Sequence, residues 1–151
     1  MRHRIGKVAL GFGVAVALGA VVMPATSWAS GRPGGQPVRQ TGVGTLGSPF
    51  SLKSMHDDNN GMQVVGEEFE ITPSNGVGQT WSITFADNGT VFVQTTQVAT
   101  ATGIREVAMT ANQGGTQHMT AHAVDQVTGE VVDGAVDLPP LGGVVDSPPR
   151  G

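Results

Sequence analysis

The stretch Thr80-Trp81-Ser82-Ile83-Thr84-Phe85-Ala86-Asp87-Asn88-Gly89-Thr90-Val91-Phe92-Val93 decides the fold. Trp81, Ile83 and Phe85 alternate with Thr80, Ser82 and Thr84, so one face is apolar and the other hydroxylated, the period of a half-buried strand. Asp87-Asn88-Gly89 interrupts the alternation. Read as a three-residue loop with Gly89 in the left-handed conformation, it closes a hairpin. That loop sets Ala86 opposite Thr90, Phe85 opposite Val91, Ile83 opposite Val93 and Trp81 opposite Thr95, which keeps the large residues on one face. A two-residue loop would pair Phe85 with Phe92 and Ile83 with Gln94 and mix the faces.

Outward from this hairpin, further strands are expected over 50–54, 68–72, 103–111, 118–125 and 130–138, separated by Gly, Asn and Asp. Helical period occurs only near the N-terminus. A sheet this short needs a second layer over its apolar face, so residues 49–138 are expected to form an all-β domain, a small antiparallel β-sandwich of about seven strands. Every aromatic residue after position 29 lies between Phe50 and Phe92, so 103–138 has only Val, Ala, Met, Ile and Leu to bury. The phase of Trp81 with Ile83 and Phe85 makes it a core residue.

The flanks carry other information. Arg2, Arg4 and Lys7 precede an apolar run over 8–23, followed by Pro24 and Ser27-Trp28-Ala29, the pattern of a secretory signal peptide over 1–29. Secretion to the extracellular space is therefore expected. Residues 30–48, rich in Gly and Pro, read as a flexible linker, and 139–151, with two Pro-Pro pairs, as a flexible tail. Leu138-Pro139-Pro140-Leu141-Gly142 departs from a sortase signal at Leu141, where threonine is required. Loss of the leader would leave five basic residues against all twelve acidic ones, moving the net charge from −4 to −7. Such a surface repels nucleic acid and anionic membranes. With no cysteine, disulfides, thiol catalysis and thiolate metal sites are excluded.

Phe50-Ser51-Leu52-Lys53, then Asp57-Asp58-Asn59-Asn60-Gly61, then Met62-Gln63-Val64-Val65-Gly66-Glu67-Glu68-Phe69-Glu70-Ile71, resembles the opening of Cna-B or SpaA-type domains. Asp87-Asn88-Gly89-Thr90-Val91 is similar to that family's later turn, so the resemblance spans about residues 50–93. The family's tyrosine-containing strand and its Ala-Pro-x-Gly-Tyr turn have no counterpart here. The resemblance implies an immunoglobulin-like, more narrowly prealbumin-like, sandwich outside a Gram-positive bacterium, acting as a spacer, adhesin or binding module. It also implies an internal isopeptide bond, with Lys53 at the place of the reactive lysine, Glu106 as the assisting acid and Asp133 or Asp137 as the partner. Gly61 to Gly66 and Gly129 to Gly134 share a spacing, read as the same turn chemistry used twice.

Other constellations read as structural. Asp57, Asp58 and Asn59 offer oxygen ligands for calcium, but Met62 stands where an EF-hand loop needs glycine, so an ordinary acidic turn is expected. His118 and His122 would sit on one strand face roughly 13 Å apart at about 3.3 Å per residue, too far for one metal unless His56 approaches. Glu68 and Glu70 share a strand face and, with Glu67, read as solvated rather than as a glycosidase pair. With no Gly-x-Ser-x-Gly elbow or phosphate loop, no enzyme activity and no cofactor are expected. The expected role is a secreted noncatalytic structural or binding module, adhesin-like, meeting an extracellular protein or glycan, with open edge strands available for self-association. The alternative is a small β-barrel carrier holding an apolar ligand against Trp81, Phe85 and Val93.

Overall fold

A computed structural model describes residues 35–142. They form eight strands in chain order, β1 (Val38–Val43), β2 (Pro49–Asn59), β3 (Met62–Ile71), β4 (Thr80–Asp87), β5 (Thr90–Val98), β6 (Ile104–Ala111), β7 (Gln117–Asp125) and β8 (Val131–Leu138), with no helix among the described residues. Two antiparallel four-stranded sheets, ordered β1-β2-β3-β6 and β5-β4-β7-β8, pack face to face as a β-sandwich. The signal peptide read over 1–29, the first five linker residues and the tail beyond Gly142 lie outside the described residues.

Period-two alternation fills the space between the sheets. Phe50, Leu52, Phe69 and Ile71 face Trp81, Ile83, Phe85, Met119 and Leu138, all buried. Phe69 makes edge contacts with Phe50 at 5.9 Å and with Phe85 at 6.3 Å between ring centroids, a favoured geometry for aromatic pairs. The aliphatic second half of the chain fits this aromatic half by size: Ala121 lies opposite Phe85 and Ala123 opposite Ile83 on adjacent strands. Small inward residues beside large ones let the layer close without voids.

Three expectations are corrected. The β4–β5 turn has two residues, not three: Asp87 pairs with Thr90, and Asn88 and Gly89 take φ of 48° and 80°, as a type I′ turn requires. A bulge then shifts the register, so Phe85 pairs with Val93 and Ile83 with Thr95, while Val91 turns outward. The extra residue, Phe92, restores the inward phase and stacks near Phe85. The acidic segment 57–61 also closes on two residues, Asn60 and Gly61, so Asp57, Asp58 and Asn59 belong to β2. Finally, β1 lies inside the expected linker, paired along its whole length with β2. Little of β1 is buried, and its order comes from the backbone ladder and from Gly42, where a Cβ would stand 2.7 Å from the Phe50 ring.

The registers fix which loops share an end. Val38 at the start of β1 and Leu138 at the end of β8 lie at one end of the sandwich with the β2–β3, β4–β5 and β6–β7 connections. Residues 44–48, 72–79, 99–103 and 126–130 form the opposite end.

Candidate functional site

The residues implied for an isopeptide bond do not meet. The alternation that turns Phe50 and Leu52 inward turns Lys53 outward, where its Nζ lies 2.9 Å from Glu68 Oε2. Arg105 Nη2 is 3.1 Å from the same oxygen, and Arg105 Nε is 3.7 Å from Glu70. Burial alone would raise the Glu68 pKa, but the two cations outweigh it and hold the carboxyl below its ordinary value. Glu106 points into the sandwich and accepts the Gln97 side-chain amide. Asp133 and Asp137 sit on the outer face of the other sheet, where their Oδ1 atoms lie 2.6 Å from His122 Nδ1 and 2.7 Å from His118 Nδ1. Both sheets separate Lys53 from either aspartate.

The calcium candidates also diverge. Asp57, Asp58 and Asn59 are consecutive strand residues, so neighbouring side chains point to opposite faces. Asp58 Oδ1 is used within the turn, accepting Gly61 N at 2.8 Å. Among the described residues no three His, Asp or Glu side chains converge on a point that could hold a metal. His56 faces inward, its Nε2 2.7 Å from the Pro139 carbonyl oxygen, on the other sheet from His118 and His122. Beside it the segments entering β1 and leaving β8 flank a cleft of about 650 Å³. Trp81 and Phe85, the expected carrier wall, are fully enclosed by the protein's own side chains.

A buried polar group lies near the end where the chain enters and leaves. Glu67, in phase with Phe69 and Ile71, is fully buried opposite Ser54, whose hydroxyl donates to it at 3.4 Å. From the other sheet Asp87, in phase with Trp81, Ile83 and Phe85, accepts Gln117 Nε2 at 2.6 Å and Gln113 Nε2 at 2.9 Å. Glu67 Oε2 and Asp87 Oδ1 have no hydrogen-bond partner among the described residues. Desolvation, reinforced by the charge of Asp87 and only partly offset by Ser54, pushes the Glu67 carboxyl up to about 8. Glu67 therefore sits in the core as a neutral acid at pH 7.

The opposite end is organised by Glu130. This buried side chain reaches beneath the β1–β2 loop, where Oε1 accepts Leu46 N at 3.2 Å and Ser48 N at 2.9 Å, and Oε2 accepts the Ser48 hydroxyl at 2.7 Å. Ser48 Oγ in turn accepts Ser74 N at 2.9 Å, tying in the β3–β4 loop. Thr45 pairs with Val131 through both its amide and its hydroxyl, each at 2.9 Å. In the β7–β8 turn, Asp125 accepts Val127 N at 2.9 Å and the Thr128 hydroxyl at 2.7 Å. Burial would raise the Asp125 pKa, but these donors more than offset it and lower it. Three loops are thus fixed by buried carboxyls rather than left to solvent.

What these loops expose is neutral. Glu130 is the one ionisable residue within 44–48, 72–79, 99–103 and 126–130, and it is buried. At or beside this end stand Val43 (68% exposed), Leu46 (55%), Val77 (68%), Val98 (55%) and Val127 (75%). On a protein of net charge −4, a rigid, uncharged surface with exposed aliphatic side chains is suited to contact rather than to solvation alone.

Sequence reasoning misread two of these groups and passed over the third: Glu67, expected with Glu68 on a solvated strand face, is buried as Glu68 is, Asp87, expected in the turn, closes β4 inside the sandwich, and Glu130 was not singled out. Phase betrays the first two, since each continues a buried alternation by two residues, while Glu130 gives no local signal because its partners lie some 80 positions away. Compared with protein-family models, with curated proteins and with solved structures, the chain matches none.

Proposed function

We propose that this chain is a secreted, noncatalytic β-sandwich that acts as an extracellular binding module, held by its two ends and presenting the opposite loop end to a protein partner. One observation supports the reading above the rest: chain entry and exit lie together at one end, and the far end carries preorganised loops that expose no charged side chain, with Leu46, Val77 and Val127 exposed. Loops fixed before contact lose little conformational entropy on binding. A protein is favoured over a glycan because these loops contain no aromatic residue for a sugar ring to stack on. The carrier reading is set aside because Trp81 and Phe85 already fill the interior. An adhesin-like role outside a Gram-positive cell, as the Cna-B resemblance implies, accords with the proposal.

The test is binding to extracellular proteins of the producing organism and its surroundings, with the module immobilised through a chain end. Wild type and the Leu46→Asp/Val77→Asp/Val127→Asp variant are compared at equal folded concentration. Binding of the wild type, lost at least tenfold in the variant, is the expected result. Equal binding by both, or none by either, refutes it.

A further inference from the structure

The four sheet edges are treated differently. The free edge of β8 is covered: Gln40 Oε1 accepts Ala135 N at 2.6 Å, and Thr45 engages Val131. The β6 edge carries Arg105 and Glu106, and β1 is short and carries Arg39. β5 has none of these protections. Its nine residues, Thr90-Val91-Phe92-Val93-Gln94-Thr95-Thr96-Gln97-Val98, include no charge and no proline. Its neighbour β4 exposes only Thr80, Ser82, Thr84 and Ala86 on the outer face.

The ladder fixes which β5 groups are free. Ala99 N donates to Gln79 O at 2.8 Å at one end of the β4–β5 pair. In an antiparallel ladder the bonded residues alternate, so Gln97, Thr95 and Val93 turn their main-chain groups to β4. Gln94, Thr96 and Val98 turn theirs away from the sheet. The bulge at Phe92, between the Phe85–Val93 and Ala86–Val91 pairs, ends the regular template there.

We infer that β5 pairs antiparallel with β5 of a second copy, about a two-fold axis at Thr96. That register sets Thr96 against Thr96 of the second copy, Gln94 against Val98 of the second copy and, by symmetry, Val98 against Gln94 of the second copy. Each of these three pairs then exchanges two main-chain hydrogen bonds, and face parity is kept because partners differ by an even number of residues. The result is one eight-stranded sheet running from β8 of one copy to β8 of the other. A second copy is the occupant because charge selects it: an acidic chain repels itself elsewhere, whereas β5 and β4 meet as a neutral stripe of Gln, Thr, Ser and Val. Of the charged residues on the facing β6 edge, Glu106 turns into the sandwich and is engaged by Gln97, and Arg105 turns outward and is engaged by Glu68 and Glu70. This surface touches the loop end proposed for a partner only at Val98, while Leu46, Val77 and Val127, on which that proposal is tested, lie outside β5, so either assignment can fail alone.

The experiment is sedimentation equilibrium of the purified protein over a wide concentration range, with amide hydrogen exchange on the same samples. The wild type should pass from one chain to two as concentration rises, with the amides of Gln94, Thr96 and Val98 gaining protection. Thr96→Pro removes an outward N–H without touching the β4 ladder, and should weaken association roughly tenfold or more with folding intact. Should that variant fail to fold, Thr96→Lys decides: it should weaken association at low salt and recover in part at high salt. A wild type that stays a single chain throughout, or a dimer that neither substitution weakens, overturns the proposal.

Discussion

Glu67→Gln is the perturbation whose effect follows most directly from the structure. Glu67 is fully buried with its pKa raised from 4.5 to about 8. The unfolded chain releases this proton as pH passes about 4.5, whereas the folded chain keeps it until about pH 8. Between those values the unfolded state binds fewer protons, so stability falls as pH rises, and the loss is complete only above the folded value. At 1.36 kcal/mol per pKa unit, the interval amounts to about 4–5 kcal/mol, a large share of the 5–15 kcal/mol typical of a whole domain. Gln has the same shape, can accept from Ser54, and does not titrate. Urea denaturation followed through the fluorescence of buried Trp81, at intervals from pH 4.5 to 9, gives the stability of both proteins. Their difference should be small at pH 4.5 and grow steadily in favour of Glu67→Gln up to about pH 8, then level off. Taking the difference cancels the opposite contributions of Glu68 and Asp125, whose lowered pKa values favour the fold above the carboxylate range. A difference that stays flat between pH 5 and 8 would refute the assignment of a neutral Glu67.

Other substitutions probe other joints. Glu130→Ala strands the Leu46 and Ser48 amides and the Ser48 hydroxyl, and should cost about 2–4 kcal/mol in chemical denaturation. Gly103→Ala places a Cβ 2.4 Å from the Ile71 carbonyl oxygen at φ +90°, and should destabilise by roughly 2–3 kcal/mol, lowering the melting temperature measurably. Gly89→Ala keeps the interior but strains the β4–β5 turn, with a loss of about 1 kcal/mol in the same assay. The intact mass should match the unmodified chain with no loss of ammonia or water, since Lys53 Nζ is held outward by Glu68; a loss abolished by Lys53→Ala would show otherwise.

The sandwich was legible wherever burial writes a period into the chain. Trp81, Ile83 and Phe85, and likewise Phe50 and Leu52, announced their inner faces, and the same parity already placed Lys53 outside. The isopeptide reading rested on position along the chain, where the side of the strand governs what a lysine can reach. The turn at Asn88-Gly89 misled because a bulge two residues later undoes its register, and periodicity assumes an unbroken ladder. β1 left no trace because an edge strand held by main-chain bonds and Gln40 needs no apolar alternation. The Glu130 hub was hidden for another reason: its partners belong to loops distant in sequence, so only the tertiary fold gives that residue its meaning.

The shared exit of both chain ends has a mechanical consequence. A pull between Gly35 and Gly142 would not shear β1 along β2 with every bond resisting together. It would open the Val38–Ser54 pair first and then each next pair in turn, like a zip drawn from its open end, and β8 would part from β7 in the same manner from Leu138. Such a geometry yields at low force. Under the proposed function, the two ends would therefore serve as a slack tether, and the loop end would remain folded only while tension passes elsewhere.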